Sequence, residues 1–407
     1  MKGRDREEVF ARCLEGVLDT VHIPELQAQA EVYVKNLSRH IFSQEIAERP
    51  SSDTAARRFP GPMLACYLEA FPASLARENV TEKTKSQELA SSIVTSLVSM
   101  TVDANFTQVD VLRILHHIAG RFSSLCLEPG WLRKSAGCAG IKIIACMPGL
   151  GQKCIIDRDV NVVRTLLHVL KDMPYDLTRD VDEVMDVMTR ILRLSSANMP
   201  PSQPTDPPQL NKLMHLTSIF FQDLSNSNPI VRNASQKCLQ LLSELNDKSL
   251  VDLLMPLRDK ILATLYTKPL RALPFSIQIG IIEAVRYCVS LETHFVELND
   301  ELLRLLHEVL ALADAEDAAL MGRVNPRQSL IEITKLRVAC IKLLTASMPM
   351  TDFFAKQIQT RQKWVLLPLH ESSKLTIRNL GFPPPTSSHS TRALLRSRRS
   401  HTRGLKW

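Results

Sequence analysis

Aromatic residues make up only 5% of this 407-residue chain, and the strict apolar/polar alternation that marks a half-buried sheet is missing. Few aromatics beside many leucine-rich runs suit helix-on-helix packing. The nine cysteines, at positions 13, 66, 126, 138, 146, 154, 238, 288 and 340, include no CxxC pair. An odd count in apolar surroundings predicts free buried thiols in a reducing compartment, not disulfides or a metal site. No stretch approaches the roughly 20 apolar residues of a membrane span, and the charged start MKGRDREEVF has no apolar segment behind it. The expectation is an intracellular soluble protein with no membrane contact. The sequons at Asn36, Asn79, Asn105 and Asn233 then carry no glycosylation.

Acid is absent where base is most concentrated. The formal net charge is +7, but the stretch from Gly381 to Trp407 holds Arg392, Arg396, Arg398, Arg399, Arg403 and Lys406 and no Asp or Glu. Without those six charges the remaining body is close to neutral, so it has no global field with which to steer onto DNA or RNA. Hydrophobic residues at 45% argue for a folded body, whereas the serine, proline and arginine of the last residues predict a weakly structured to disordered basic tail over 355–407.

What is present is helical periodicity. Residues 1–62 read as an irregular helical segment, broken near His22 to Pro24 and ending in the loop ERPSSDTAARRFPGP. Helix-like repeats follow over 63–194: a short piece from Met63 to Phe71, a polar hinge RENVTEKTKSQ, then helices over about Leu89–Met100, Val109–Phe122, Trp131–Met147 and Asp180–Leu194. Gly137 and Gly140, beside the equally small Ala136 and Ala139, weaken the third of these as an isolated helix, which predicts a close neighbouring backbone. Asp157 and Asp159 read as the capped start of VNVVRTLLHVLKDM. The run SSANMPPSQPTDPP over 195–208 carries five prolines and reads as a loop. Repeats resume over 209–354. In SNSNPIVRNASQKCLQLLSEL, Asn228 can cap, Pro229 fits the first turn, and Ile230, Val231, Ala234, Cys238, Leu239, Leu241, Leu242 and Leu245 supply a buried face. This is how the second helix of a HEAT-type repeat reads. Related units at Trp131–Met147, Asn161–Met173 and Leu336–Met348 predict an all-α, HEAT-like helical-repeat solenoid, an α-α superhelix.

From Pro269 to Met350 three amphipathic helices are expected. Their stripes are Ile277, Ile281, Ala284, Val285, Cys288 and Val289; Leu302, Leu303, Leu306, Val309, Leu310 and Ala313; and Leu336, Val338, Ala339, Ile341, Leu343 and Leu344. Such faces must be buried against neighbours.

Candidate chemistry is thin. His116 and His117 are adjacent, so they point about 100° apart and cannot share a metal as an i, i+4 pair can. GLGQK at Gly149 follows a helix, not a strand, and lacks the GxxxxGK[ST] spacing of a phosphate loop. Asp314, Glu316 and Asp317 fall within one turn and read as a solvated or capped helix end. Arg133, Lys134, Lys142, Arg164, Arg232, Lys237, Arg286, Arg304, Arg337 and Lys342 could form a basic ridge, but ties to acids such as Glu283, Glu301 or Glu332 are the simpler role. No catalytic, cofactor-binding or metal site is assigned, no cofactor or small-molecule substrate is expected, and direct nucleic-acid binding is disfavoured; the alternative to a specific scaffold is a generic HEAT-repeat adaptor that binds peptides or nucleic acid.

Particular words, not only periodicity, carry a resemblance. PLRALPFSIQIGIIEAVRYCVSLETHFVELNDELLRLLHEVLALADAEDAALM from Pro269 to Met321 is similar to the helical-repeat region of the transformation/transcription domain-associated protein family, the very large pseudokinase scaffolds of the phosphatidylinositol 3-kinase-related kinases. Trp131–Met147, NPIVRNAS at Asn228 and KLRVACIKLLTASMP at Lys335 agree with it. The resemblance covers roughly Val109 to Phe354. It implies a non-enzymatic scaffold in nuclear histone acetyltransferase assemblies of the SAGA type, whose partners are other complex subunits and transcriptional activators. No glycine-rich nucleotide loop on a strand, HRD-like segment or DFG appears, so the resemblance also implies a piece of a longer parent.

Overall fold

In a computed structural model, residues 3–47, 60–103, 105–173, 178–198, 212–267, 269–291, 295–320 and 326–350 are described. Most of the proline-rich run, including Pro200 to Pro208, and the whole basic tail lie outside them. Among the described residues the regular structure is helical, with no strand. The helices are α1 (Gly3–Asp19), α2 (Gln27–Ala47), α3 (Pro62–Ala73), α4 (Val80–Ser99), α5 (Gln108–Leu125), α6 (Trp131–Cys146), α7 (Leu150–Ile156), α8 (Asp159–Lys171), α9 (Thr178–Ala197), α10 (Lys212–Asp223), α11 (Pro229–Leu245), α12 (Leu250–Leu254), α13 (Arg258–Tyr266), α14 (Phe275–Val289), α15 (Asp300–Asp314), α16 (Asp317–Leu320) and α17 (Pro326–Ser347). None is long and apolar enough to cross a membrane.

Local chemistry sets many of the starts. The Asn79 side chain accepts from Thr81 N at 2.8 Å, Asn228 from Ile230 N at 2.9 Å and Asn299 from Leu302 N at 2.8 Å. Thr107 Oγ1 accepts from Asp110 N at 3.2 Å and donates to the Asp110 carboxylate at 2.6 Å. Ser249 and Asp252 repeat that reciprocal pairing. Each such cap satisfies a backbone N–H that the helix itself cannot.

The cap at Asn79 corrects one expectation. From Val80 onward the segment read as a polar hinge is the first half of α4, because Asn79 followed three residues later by Glu82 is a start signal that outweighs its polarity. Neither Asp157 nor Asp159 is the cap residue of α8, although the Asp159 carboxylate accepts from the first-turn Val160 N at 2.7 Å. Arg158 occupies the position before α8, and Asp159 lies inside its first turn, 2% exposed. α9 continues through Ser195 to Ala197, past the start of the polar run.

The chain divides into two compact units, Met1–Thr267 with Leu291–Phe295, and Lys268–Ser290 with Val296–Trp407. In the first, contacts follow two parallel rows. α1 packs on α3, α3 on α5, α5 on α7, α7 on α8 and α8 on α10; beside them α2 packs on α4, α4 on α6, α6 on α9 and α9 on α11. Cross-row pairs such as α5 with α6, α8 with α9 and α10 with α11 close the core. Stacked helix pairs, each touching mainly its neighbours, define a helical-repeat solenoid. One cluster of aromatic rings joins three of its helices. Phe42, Tyr67, Phe71 and Phe122 form successive ring contacts with centroids 5.4, 5.4 and 5.9 Å apart, linking α2, α3 and α5. The buried Tyr67 hydroxyl is satisfied by Ser38 at 2.7 Å.

In the second unit α14 and α15 both pack on α17, and the turn Leu270–Ala272 rests on α15, where Leu270 N donates to Glu308 at 2.7 Å. The three amphipathic helices exist, but their inward faces are set slightly differently from the expected stripes. Ile277 is 39% exposed, and Gln278 is buried in its place, its amide donating to Leu273 O at 2.7 Å. In α15, Leu305 is buried while Leu303 and Leu310 are half-buried; in α17 the buried set is Ile333, Leu336, Ala339, Cys340 and Leu343. A stripe read from sequence fixes a face to about one residue, and the neighbouring helix decides the rest.

Candidate functional site

The residues nominated by sequence do not converge on one place. Several of them tie one helix to another or close the turn before their own helix, and others are exposed. Lys134, the fourth residue of α6, is 5% exposed; its ammonium donates to Cys126 O at 3.2 Å and to Asp172, just past the end of α8, at 3.0 Å. Arg232 of α11 is 9% exposed and donates to the carbonyls of Asn226 and Ser227 at 2.7 and 3.0 Å. Arg133 pairs with Glu128, Lys142 with Asp186, Arg286 with Glu283, and Arg337 with Asp317. Arg337 also donates to Ala315 O at 2.6 Å. Arg164, Lys237, Arg304 and Lys342 are exposed. A basic stripe for a polyphosphate backbone needs its cations facing solvent along one ridge; here several of them are committed to backbone carbonyls or carboxylates.

The acidic group at Asp314 to Asp317 resolves in the same way. Asp314 ends α15, Asp317 opens α16, and the Asp317 carboxylate meets Arg337 at 2.7 Å. The histidine pair separates as the helix geometry requires. His116 Nε2 lies 3.4 Å from Asp157, and both His116 and His117 titrate below the usual histidine range, first because of burial and then because of Arg158. His22 is lowered likewise by burial, with its Nε2 3.1 Å from Ser86 Oγ. GLGQK contributes the start of the short helix α7. Among the described residues no group of three or more His, Cys, Asp or Glu side chains converges as a metal site.

Two further ties were not foreseen. Asp159 accepts a hydrogen bond from Ser195 Oγ of α9 and an ion pair from Lys212 of α10 at 2.6 Å, while Lys212 also donates to Ile156 O at 2.9 Å. This buried corner joins α8, α9 and α10, and its members are up to 56 residues apart in sequence. Asn228 has a second task beside capping α11: its amide donates to Leu170 O and Lys171 O, both at 3.2 Å, at the end of α8. One asparagine thus satisfies orphan groups at the N-terminus of one helix and the C-terminus of another. The SNSNP turn signalled the first role; nothing local could signal the second.

A groove of about 480 Å³ runs along α4, α6 and α9. Val80, Trp131, Leu132, Ile143 and Val187 give it apolar walls, and the pairs Lys83–Glu183 at 3.3 Å and Lys142–Asp186 at 2.7 Å bridge its sides. Its opposing charges join helices to one another, and the arrangement aligns no nucleophile with a base.

Repeated helix pairs, inter-repeat polar ties and a groove along one row of helices describe a helical-repeat solenoid. The sequence of residues 1–367 matches the family model of the Tra1 HEAT repeat ring region, and the chain belongs to that family. It is 35% identical over 271 residues to the SAGA complex/NuA4 acetyltransferase complex subunit Tra1 of Schizosaccharomyces pombe, covering 64% of this chain and 7% of that protein. It is 33% identical over 246 residues to the SAGA complex/NuA4 acetyltransferase complex subunit TRA1 of Saccharomyces cerevisiae, covering 59% and 6%. To the human transformation/transcription domain-associated protein it is 22% identical over 367 residues, covering 83% of this chain and 9% of the relative. The chain therefore spans less than a tenth of the length of these relatives.

Proposed function

We propose that this chain is a non-catalytic, protein-binding scaffold segment that acts in the nucleus within histone acetyltransferase assemblies of the SAGA type. Its partners in this reading are other subunits of the assembly and transcriptional activators, contacted through exposed helix ends and inter-repeat turns. No substrate or cofactor is required. The observation that carries the reading is the match of residues 1–367 to the Tra1 ring family, whose yeast members are named as SAGA and NuA4 subunits. The geometry supports it: the ionic side chains at Lys134 and Asp159 are consumed in ties between helix pairs, and Arg232 in closing the turn before α11, which is what a scaffold needs and an active site does not.

In this reading the repeats on both sides of 195–208 form the binding body, and the basic tail 355–407 is dispensable. Affinity purification of the nuclear-expressed chain, with and without Gly381–Trp407, followed by mass spectrometry tests it. Recovery of acetyltransferase-complex subunits by both forms is the expected result. Recovery only by the tailed form, in a nuclease-sensitive manner, would make the basic tail the agent and overturn the proposal.

A further inference from the structure

Seven of the nine cysteines are buried, and two of these stand apart from the rest. Cys126, the residue that closes α5, and Cys138, in the middle of α6, bring their Sγ atoms to 4.0 Å. Both are deeply covered, at 0% and 5% exposure, yet they are not equivalent. Cys138 lines the groove along α4, α6 and α9. Cys126 lies behind it, against the helix: a Cβ on Gly137 would fall 2.5 Å from the Cys126 sulfur. Small molecules entering the groove meet Cys138 first.

We infer that Cys126 and Cys138 are an oxidation site, at which a peroxide attacked by the groove-facing Cys138 sulfur leads to a disulfide joining the end of α5 to α6. The Cys138 sulfur takes the near oxygen of hydrogen peroxide, the O–O bond breaks, and the released hydroxide takes the thiol proton and leaves as water. This gives a sulfenic acid at Cys138. The Cys126 sulfur then displaces that hydroxyl, which leaves as a second water with the Cys126 proton. Two thiols are oxidised by two electrons in all, and one peroxide is reduced to two waters. The Sγ atoms must close from 4.0 Å to about 2.05 Å, a movement that falls to Cys126 at the end of α5, since Cys138 is held in the middle of α6.

The surroundings favour this order of events. The Cys126 thiol is pushed well up by its hydrogen bond with Cys138 and then by burial, so it keeps its proton and acts as the resolving partner. Cys154, Cys238, Cys288 and Cys340 are also buried, with thiols pushed up to about 12 by burial, and none of them lines the groove. The cross-link would fall on a structural tie, because Cys126 O accepts the Lys134 ammonium that also holds Asp172 beyond α8. Oxidation would thereby stiffen the α5–α6 pair beside that tie.

The test uses the full 407-residue chain, reduced, exposed to hydrogen peroxide, quenched in denaturant, alkylated and digested with trypsin. The expected product is a reducible cross-link between the peptides Phe122–Arg133 and Ser135–Lys142, with Cys154 and Cys238 still alkylated. In Cys126→Ser, dimedone should label Cys138; in Cys138→Ser, Cys126 should stay unlabelled. The wild-type peptide map decides the matter even if a variant folds poorly. Complete alkylation of Cys126 and Cys138 under conditions that oxidise the exposed Cys13 and Cys146 would overturn the proposal, as would dimedone labelling of Cys126 in the Cys138→Ser chain.

Discussion

Helices α6 and α11 lie in the same row of the solenoid, two places apart, yet they begin in opposite ways. α11 is specified locally: Asn228 caps it, Pro229 fills its first turn, and Arg232 reaches back to close the preceding turn. α6 has no capping side chain and follows Gly130 at φ 94°. What holds α6 is contact with α5. Cβ atoms on Gly137 and Gly140 would fall 2.6 Å from Phe122 O and 2.2 Å from the Phe122 ring. The contrast teaches that equivalent repeat positions can be stabilised by different links of the chain, one by turn chemistry and one by interhelical fit. Substitutions should therefore damage them in different ways.

The largest effect is expected on the fitted side. Gly137→Ala would have to move the α5 backbone, and Gly140→Ala would have to displace a buried ring. We expect each to cost about 3 kcal/mol in overpacking, outweighing the roughly 1 kcal/mol that alanine gains over glycine in a helix. Urea unfolding followed by circular dichroism measures this, and a stabilised Gly140→Ala chain would refute the close approach. Lys134→Ala should follow, at about 2 kcal/mol, because Cys126 O loses a buried partner. Lys134→Met should cost less, since the apolar stem stays packed.

On the capped side, Asn228→Ala should cost about 1 to 2 kcal/mol. The sharper test is Asn228→Asp. An ordinary cap tolerates aspartate well, but here the lost amide leaves the Leu170 and Lys171 carbonyls facing a carboxylate. Asp at 228 should therefore be no better than Ala; a fully stable Asp variant would mean that the link to α8 contributes nothing.

A smaller effect comes from the histidines. His22, His116 and His117 all titrate below 6.5 in the folded chain, with burial the first cause. The unfolded state then binds more protons than the folded state as pH falls through 6.5. Stability is complete above that value and declines below it, toward the folded-state values. Melting temperatures at neutral and mildly acidic pH should show the decline, and replacing the three histidines with glutamine should flatten it. The smallest change is expected at the exposed Arg164 and Lys237, whose alanine variants should stay within about 0.5 kcal/mol of the parent.

How much of this was legible depends on the range of the interaction involved. The helix class, the cap at Asn228 and the close backbone at Gly137 and Gly140 could be read directly, because periodicity, capping and propensity are properties of residues a few positions apart. The start of α4 was legible too, in Asn79 and Glu82, but its polar composition obscured it. The candidate charges were misleading in outline and informative in role: Lys134, Lys142, Arg286 and Arg337 were correctly weighed as structural, but of their partners only Glu283, that of Arg286, was nameable from sequence.

By itself, then, the sequence determined an all-helical repeat chain, the places where many of its helices start, and the words that tie it to the Tra1 ring family. Only the tertiary structure decided that Gln278 and not Ile277 turns inward, that Asn228 also closes α8, that Asp159 gathers Ser195 and Lys212, and that two cysteines meet beside a groove. The physical reason is distance along the chain. A helix closes its hydrogen bonds within four residues and so writes its pattern locally, whereas Lys134 and Asp172 are 38 residues apart and Asn228 and Leu170 are 58 apart, and such pairs are chosen only when packed helices bring them together.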